Sequence, residues 1–148
     1  MSDLSLSVEY KTILHPKITN AVEDSLRTEV ATKCVELIKQ SADTNLYGAY
    51  TPSGQHKYER RFSYLKDGAY ETDANGLTLT ISENIHGQGN AENLTEVLEA
   101  GTPYEWTRSE IFKMQPYPRP FFGKAIDDGI ASGEIDTALS NGMKSRGF

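Results

Sequence analysis

A chain of 148 residues is about one domain's worth of sequence, and a domain of this size buries roughly 70% of its unfolded surface, enough for one core without staples. A single cysteine, Cys34, excludes a disulfide framework, and with only three scattered histidines beside it no metal-ligand set can be assembled. The net charge of −6 speaks against tight binding of double-stranded DNA, and no run approaches the roughly 20 apolar residues that a membrane span needs.

The first residues, Met1-Ser2-Asp3-Leu4-Ser5-Leu6-Ser7, carry no basic start and no long apolar run, so no secretory signal is expected. Leu4, Leu6 and Val8 alternate with polar residues, which predicts a short strand or extended arm over residues 4–10. His15-Pro16 then opens the longest helix, residues 16–40, whose apolar stripe is Ile18, Val22, Leu26, Val30, Cys34 and Leu37. Cys34 falls on that apolar side, as a small buried thiol would.

Residues 41–57 lose periodicity and gather Asn45, Gly48, Pro52, Ser53 and Gly54, the composition of a long flexible loop. Tyr58, Arg60, Phe62 and Tyr64 alternate with Glu59, Arg61, Ser63 and Leu65, predicting a strand that ends in a Lys66-Asp67-Gly68 turn. Tyr70, Thr72 and Ala74 lead to Asn75-Gly76, a hairpin signal, and Leu77, Leu79, Ile81 and Ile85 then give the cleanest alternation in the chain. A mostly antiparallel sheet under a long N-terminal helix follows, an α+β class. Residues 86–94, beginning His86-Gly87-Gln88-Gly89-Asn90, read as a second flexible loop, because the lysine and spacing of a phosphate-binding loop are missing.

Pro116, Pro118 and Pro120 hold a stiff extended arm. It feeds a helix in which Phe122, Ile126 and Ile130 recur every four residues. A pre-stiffened arm loses little entropy on docking, and Tyr117 and Arg119 are of the types enriched at interfaces. Ile135 and Leu139 permit a further helical turn or two, and residues 141–148 read as a tail. Charge is uneven along this order: residues 54–70 carry net +2 and residues 71–112 carry net −7. The −7 block reads as a solvated face that keeps the chain soluble.

Chemistry-bearing patterns are sparse. There is no His-Glu-x-x-His helix, no Gly-x-Ser-x-Gly elbow and no dinucleotide fingerprint. Asp73, Glu83 and His86 are the only acid–base candidates, so the reading is non-enzymatic with no cofactor.

Glu99-Ala100-Gly101-Thr102, followed by Arg119-Pro120-Phe121-Phe122 running into Lys124-Ala125-Ile126-Asp127, resembles the linked C-terminal signatures of the neck proteins of long-tailed bacteriophages, the head–tail joining or tail-completion family. The likeness is specific over about thirty residues and extends loosely over most of the chain. The stretch between the two signatures, with Tyr104 and Trp106, is longer here than in that family. The resemblance implies one domain over residues 1–148 that forms a sixfold or twelvefold homo-oligomeric ring at the virion neck after assembly in the host cytoplasm. Its neighbours would be head-closure or connector proteins on one side and tail-terminator or tail-tube proteins on the other. Interface residues would be Glu99, Gly101, Thr102, Tyr117, Pro118, Arg119, Pro120, Phe121 and Phe122. Passing double-stranded DNA must slide rather than bind, since every neutralised phosphate is a contact to be broken, so Glu92, Glu96 and Glu99 are expected to face the channel. A tail-terminator-like ring protein and a small cytoplasmic hydrolase are the alternatives.

Overall fold

The computed structural model describes residues 14–48, 62–85, 95, 99 and 120–148. Its longest element is a single rod over residues 15–47, made of α1 (His15–Ser25), a π-helical stretch (Leu26–Val30), α2 (Ala31–Ser41) and a second π-helical stretch (Ala42–Tyr47). Every junction residue keeps right-handed helical dihedrals, so the rod is unbroken over roughly 50 Å. The first π-helical stretch has a local cause. Ser25 Oγ donates to the Ala21 carbonyl (2.6 Å) and Thr28 Oγ1 to the Asp24 carbonyl (2.7 Å), so side-chain donors compete for acceptors that the helix ladder uses. The ladder slips, and the Ala31 N–H reaches back to the Leu26 carbonyl.

The rod outruns the sequence expectation. Helix continues to Tyr47 where a loop over residues 41–57 was predicted, because Ala42 and Leu46 extend the apolar side of α2 into the core and override the polar composition around them; residues 49–57 lie outside the described residues. The buried seam also differs from the predicted stripe. Ala21, Ser25, Val30, Ala31, Cys34, Ile38, Ala42 and Leu46 are buried, whereas Ile18, Val22, Leu26 and Leu37 are only half-buried.

Residues 62–65 correct a second expectation. Phe62 has φ +52°, in the left-handed region, and Ser63–Leu65 forms a 3₁₀ turn where a strand was predicted. Phe62 and Tyr64 therefore do not share a face: Phe62 is 43% exposed and Tyr64 is buried in the core. Gly68, at φ +78°, completes the predicted turn into β1 (Tyr70–Asn75). That strand pairs antiparallel with β2 (Thr78–Glu83), from Tyr70 opposite Glu83 to Asn75 opposite Thr78. The hairpin loop is Gly76-Leu77, one residue later than predicted, with the positive φ carried by Gly76. Tyr70, Ala74, Leu79, Ile81 and Glu83 form the more buried face, and Glu71, Asp73, Thr80 and Ser82 face solvent. The hairpin is tied to the rod at its far end, where Glu23 Oε2 accepts the Gly76 N–H at 2.8 Å.

Two C-terminal helices finish the fold: α3 (Phe122–Ser132) and α4 (Glu134–Ser145), separated by Gly133 at φ +81°. The α3 stripe is displaced by one residue from the predicted Phe122–Ile126–Ile130 set. Phe121, Ala125 and Gly129 are buried, while Ile130 is 55% exposed. The displacement follows from close approach: a β-carbon at Gly129 would stand 2.6 Å from Leu37 Cδ1 and 2.9 Å from Ile135 Cδ1. The predicted tail at residues 141–148 is helical to Ser145. It is held because Gly142 sits against Ser25 and Arg146 grips the rod.

The α+β class, the long N-terminal helix, the antiparallel sheet and the C-terminal helix are as expected. Two apolar clusters hold them together. One joins Ile38, Ala42 and Leu46 to Tyr64, Ala69, Ile85, Phe121 and Ala125; the other joins Val30 and Cys34 to Ala138. Burial pushes the Cys34 thiol above its ordinary titration range. Among the described residues no helix is long and apolar enough to cross a membrane, and no His, Cys, Asp and Glu cluster could hold a metal.

Candidate functional site at the helix junction

Helix α3 begins with a difficulty. The residue at its N-cap is Phe121, which has no side-chain oxygen, so the first N–H groups of the helix need an acceptor from elsewhere. Glu99 supplies it. Its Oε1 accepts the N–H of Phe121 at 3.1 Å and that of Phe122 at 2.6 Å, placing a negative charge at the positive end of the helix dipole. Thr95, four residues earlier and also helical, shares a hydrogen bond of 2.8 Å with the Tyr64 hydroxyl. Thr95 is thereby tied to the core and Glu99 to the start of α3.

Under this cap the aromatic side chains interlock. The Phe121 ring is fully buried and meets Tyr64 edge-on with centroids 4.8 Å apart. Phe122 is half-buried, 6.3 Å from Phe121 and 5.8 Å from Tyr70. Tyr70 donates its hydroxyl to the Tyr64 carbonyl (2.9 Å), and the Tyr64 N–H donates to the Tyr47 hydroxyl (3.1 Å). Burial raises the pKa of both the Tyr64 and Tyr70 phenols, so they stay protonated and serve as hydrogen-bonding groups rather than bases.

The structure thus brings together Glu99, Phe121 and Phe122 from the predicted set, with Pro120 exposed just ahead of them. Sequence reasoning gave Glu99 interface and channel roles; its observed contact is the internal cap. Gly101, Thr102, Tyr117, Pro118, Arg119, Glu92 and Glu96 lie outside the described residues, as do the expected 4–10 arm, Tyr104, Trp106 and the 86–94 loop apart from its neighbour Thr95. Of the acid–base candidates, Asp73 lies on the outer face of the hairpin and Glu83 on the inner face, where its Oε2 accepts the Ile85 N–H at 3.1 Å. The two are not brought together, and His86 is outside the described residues.

A second polar cluster went unread in the sequence. Arg146 Nη1 lies 3.0 Å from both Glu29 carboxylate oxygens and donates to the Gly142 carbonyl at 2.8 Å, while its Nη2 reaches Thr28 Oγ1 at 3.0 Å. The Thr28 hydroxyl against the carboxylate, then Arg146, hold the Glu29 carboxyl below its ordinary range. The available signal was the pairing of a small residue in each helix, Ser25 and Gly142, which lets the backbones approach closely.

These elements define an α+β domain organised by internal joints, with a carboxylate-capped helix junction at one end and an arginine clasp at the other. The YomN family model matches residues 11–145, nearly the whole chain, and the chain belongs to the YomN family. That is a Bacillus phage-region family, which makes this a phage-associated protein. Comparisons with curated proteins and with solved structures find no match.

Proposed function

We propose that this chain is a structural component of the phage neck, a non-enzymatic ring subunit that joins the portal and head-closure complex to the tail tube around the DNA channel. The observation that carries this reading is the Glu99 cap. It physically links the two segments on which the neck-protein resemblance rests, since Glu99 opens the first signature and the Phe121-Phe122 pair whose N–H groups it binds closes the second. Two motifs separated by some twenty residues gain a reason to occur together when one supplies the acceptor that the other needs. Membership of a phage-region family supports the same reading.

In this reading the subunits meet through the arm around Tyr117, Pro118 and Arg119, and they contact head-closure or connector proteins above and tail-terminator or tail-tube proteins below. The protein resides in the virion and is assembled in the host cytoplasm. Glu92 and Glu96 turn toward the lumen, where carboxylates keep DNA from adhering. The test is genetic and compositional. Purified particles should contain the protein in a fixed ratio to portal protein, and deleting it should yield filled heads and separate tails. Complete, infective particles lacking the protein would refute the proposal. Glu92→Lys with Glu96→Lys should leave assembly intact and slow DNA ejection.

A further inference from the structure

The dipeptide Asn-Gly occurs twice in the chain, at Asn75-Gly76 and at Asn141-Gly142. It is among the least durable dipeptides in water, because a glycine leaves its own backbone nitrogen unhindered beside the carbonyl carbon of the preceding asparagine side chain. Whether that nitrogen attacks depends on what holds its N–H.

In α4 the helix ladder holds it, since Gly142 lies inside Glu134–Ser145 and is buried. The hairpin offers no such hold. Asn75 pairs with Thr78, so Gly76 and Leu77 form a two-residue loop in which the glycine alone has a positive φ, +61°. That is the pattern of a type II′ turn with glycine first. In such a turn the closing pair exchanges its own N–H groups across the ladder, and the Gly76 N–H is left over. The rod takes it up: Glu23 Oε2 accepts it at 2.8 Å. The Asn75 side chain is exposed and makes no hydrogen bond among the described residues, so it is free to swing toward the turn.

The Glu23 carboxylate opposes the reaction in two ways. Its hydrogen bond must break before the nitrogen can attack, and its negative charge disfavours the deprotonated nitrogen that does the attacking. The Gly76 N–H and then Arg27, 2.8 Å away, hold the Glu23 carboxyl below its ordinary range, so the charge is present at neutral pH.

We propose that Asn75 is a latent deamidation site, inert while the hairpin is docked on Glu23 and reactive once the hairpin leaves the rod. On release the Gly76 nitrogen gives up its proton and bonds to Asn75 Cγ, the Cγ–Nδ2 bond breaks, and ammonia leaves carrying that proton. Water then opens the resulting succinimide at either carbonyl, leaving aspartate or isoaspartate at position 75. Both products work against return to the docked state. Each places a new carboxylate next to the Gly76–Glu23 contact, and isoaspartate also lengthens the backbone by a methylene just ahead of Gly76, which carries its N–H away from Glu23. Release of the hairpin is thereby recorded irreversibly in the covalent structure.

The test ages the full chain at mildly alkaline pH, folded and in urea, and follows the peptides holding Asn75 and Asn141 separately by mass spectrometry, with isoaspartyl methyltransferase labelling of the products. The folded parent should keep both asparagines, and urea should expose both. In folded Glu23→Ala, Asn75 should react at least tenfold faster than in the parent while Asn141 stays intact; Glu23→Gln, which keeps an acceptor and loses the charge, should fall between the two. Asn75→Asp, which installs one product, should speed amide hydrogen exchange across β1 and β2. If Asn75 is as durable in both Glu23 variants as in the parent, or reacts as fast in the folded parent as in urea, Glu23 does not guard the site and the proposal fails. Equal reaction of Asn75 and Asn141 in both variants would mark general unfolding in place of a released turn and would overturn it as well. Exchange at the parent's rate in Asn75→Asp would refute the one-way step.

Discussion

Removing the Glu99 carboxylate tests the joint on which the functional reading depends. Glu99→Ala deprives two backbone N–H groups at the start of α3 of an ionised acceptor, at 3.1 and 2.6 Å, with no oxygen on the Phe121 side chain to replace it. Loss of an N-cap costs about 0.5–2 kcal/mol, and a hydrogen bond to a charged group contributes about 1.5–3 kcal/mol. Because the two N–H groups share one oxygen at a half-buried site, the contributions overlap, and about 2–3 kcal/mol is expected. Glu99→Gln keeps an acceptor and loses only the charge facing the helix dipole, worth about 0.3–1 kcal/mol. Urea unfolding should therefore rank parent, Gln and Ala in that order at constant m-value. The Ala variant should melt roughly 4–12 °C lower, at about 2–4 °C per kcal/mol for a chain of this size. Asp128→Ala, which removes an exposed partner of Lys124 on the same helix, is the control and should change stability by less than about 0.5 kcal/mol. If the Ala and Gln variants unfold together, or both match the control, the cap is not holding the junction.

Phe121→Ala should cost about 3–5 kcal/mol because the ring is fully buried against Tyr64, whereas half-buried Phe122→Ala should cost measurably less in the same urea titration. Gly142→Ala should destabilise by about 1–3 kcal/mol, since its new β-carbon would meet Ser25 Cβ at 2.7 Å; Ser25→Gly in the same chain should recover part of the loss. The carboxyls of Glu23 and Glu29 titrate below their ordinary value of 4.5, Glu23 through the Gly76 N–H and then Arg27, Glu29 through Thr28 and then Arg146. A lowered folded-state pKa gives stability that is present above about pH 4.5 and is lost as pH falls through the folded values; Arg146→Met should flatten that acid limb in pH-dependent denaturation. Cys34, buried and with its thiol pushed up, should resist a thiol reagent in the folded protein and react at once in urea.

How much of this was legible depended on which force decided each element. Alternation at Leu79 and Ile81 and helical spacing at Val30 and Cys34 survive into the structure, because in those places burial of apolar side chains sets the geometry. The rod's second π-helical stretch did not announce itself, since Asp43, Thr44 and Asn45 look like loop residues and the helix is continued by only two anchors, Ala42 and Leu46. Phe62 defeated the strand reading because a single left-handed residue breaks a two-residue period without leaving any compositional trace. At the junction the sequence marked the correct residues but not their relation. Spacing cannot show that a carboxylate at position 99 serves N–H groups at 121 and 122, although a phenylalanine where a helix usually has serine, asparagine or aspartate is itself a sign that an acceptor comes from elsewhere.

The seam between α1 and α4 has a consequence for how the chain survives its own synthesis. The Arg146–Glu29 clasp spans 117 residues, so the surface of the rod that it covers is made early and waits for nearly the whole polypeptide. Long waits of this kind usually expose sticky surface to neighbouring nascent chains. Val30 and Cys34 wait in this way for Ala138, but toward the clasp the waiting surface narrows to Ala21 and Ser25, four residues apart on one face, which offer little apolar area to a passing chain yet allow a helix carrying Gly142 to settle against Ser25 once it emerges. Small side chains at the clasped end of the seam thus combine tight final packing with little exposed apolar surface before α4 arrives, two properties that a leucine at Ser25 would set against each other.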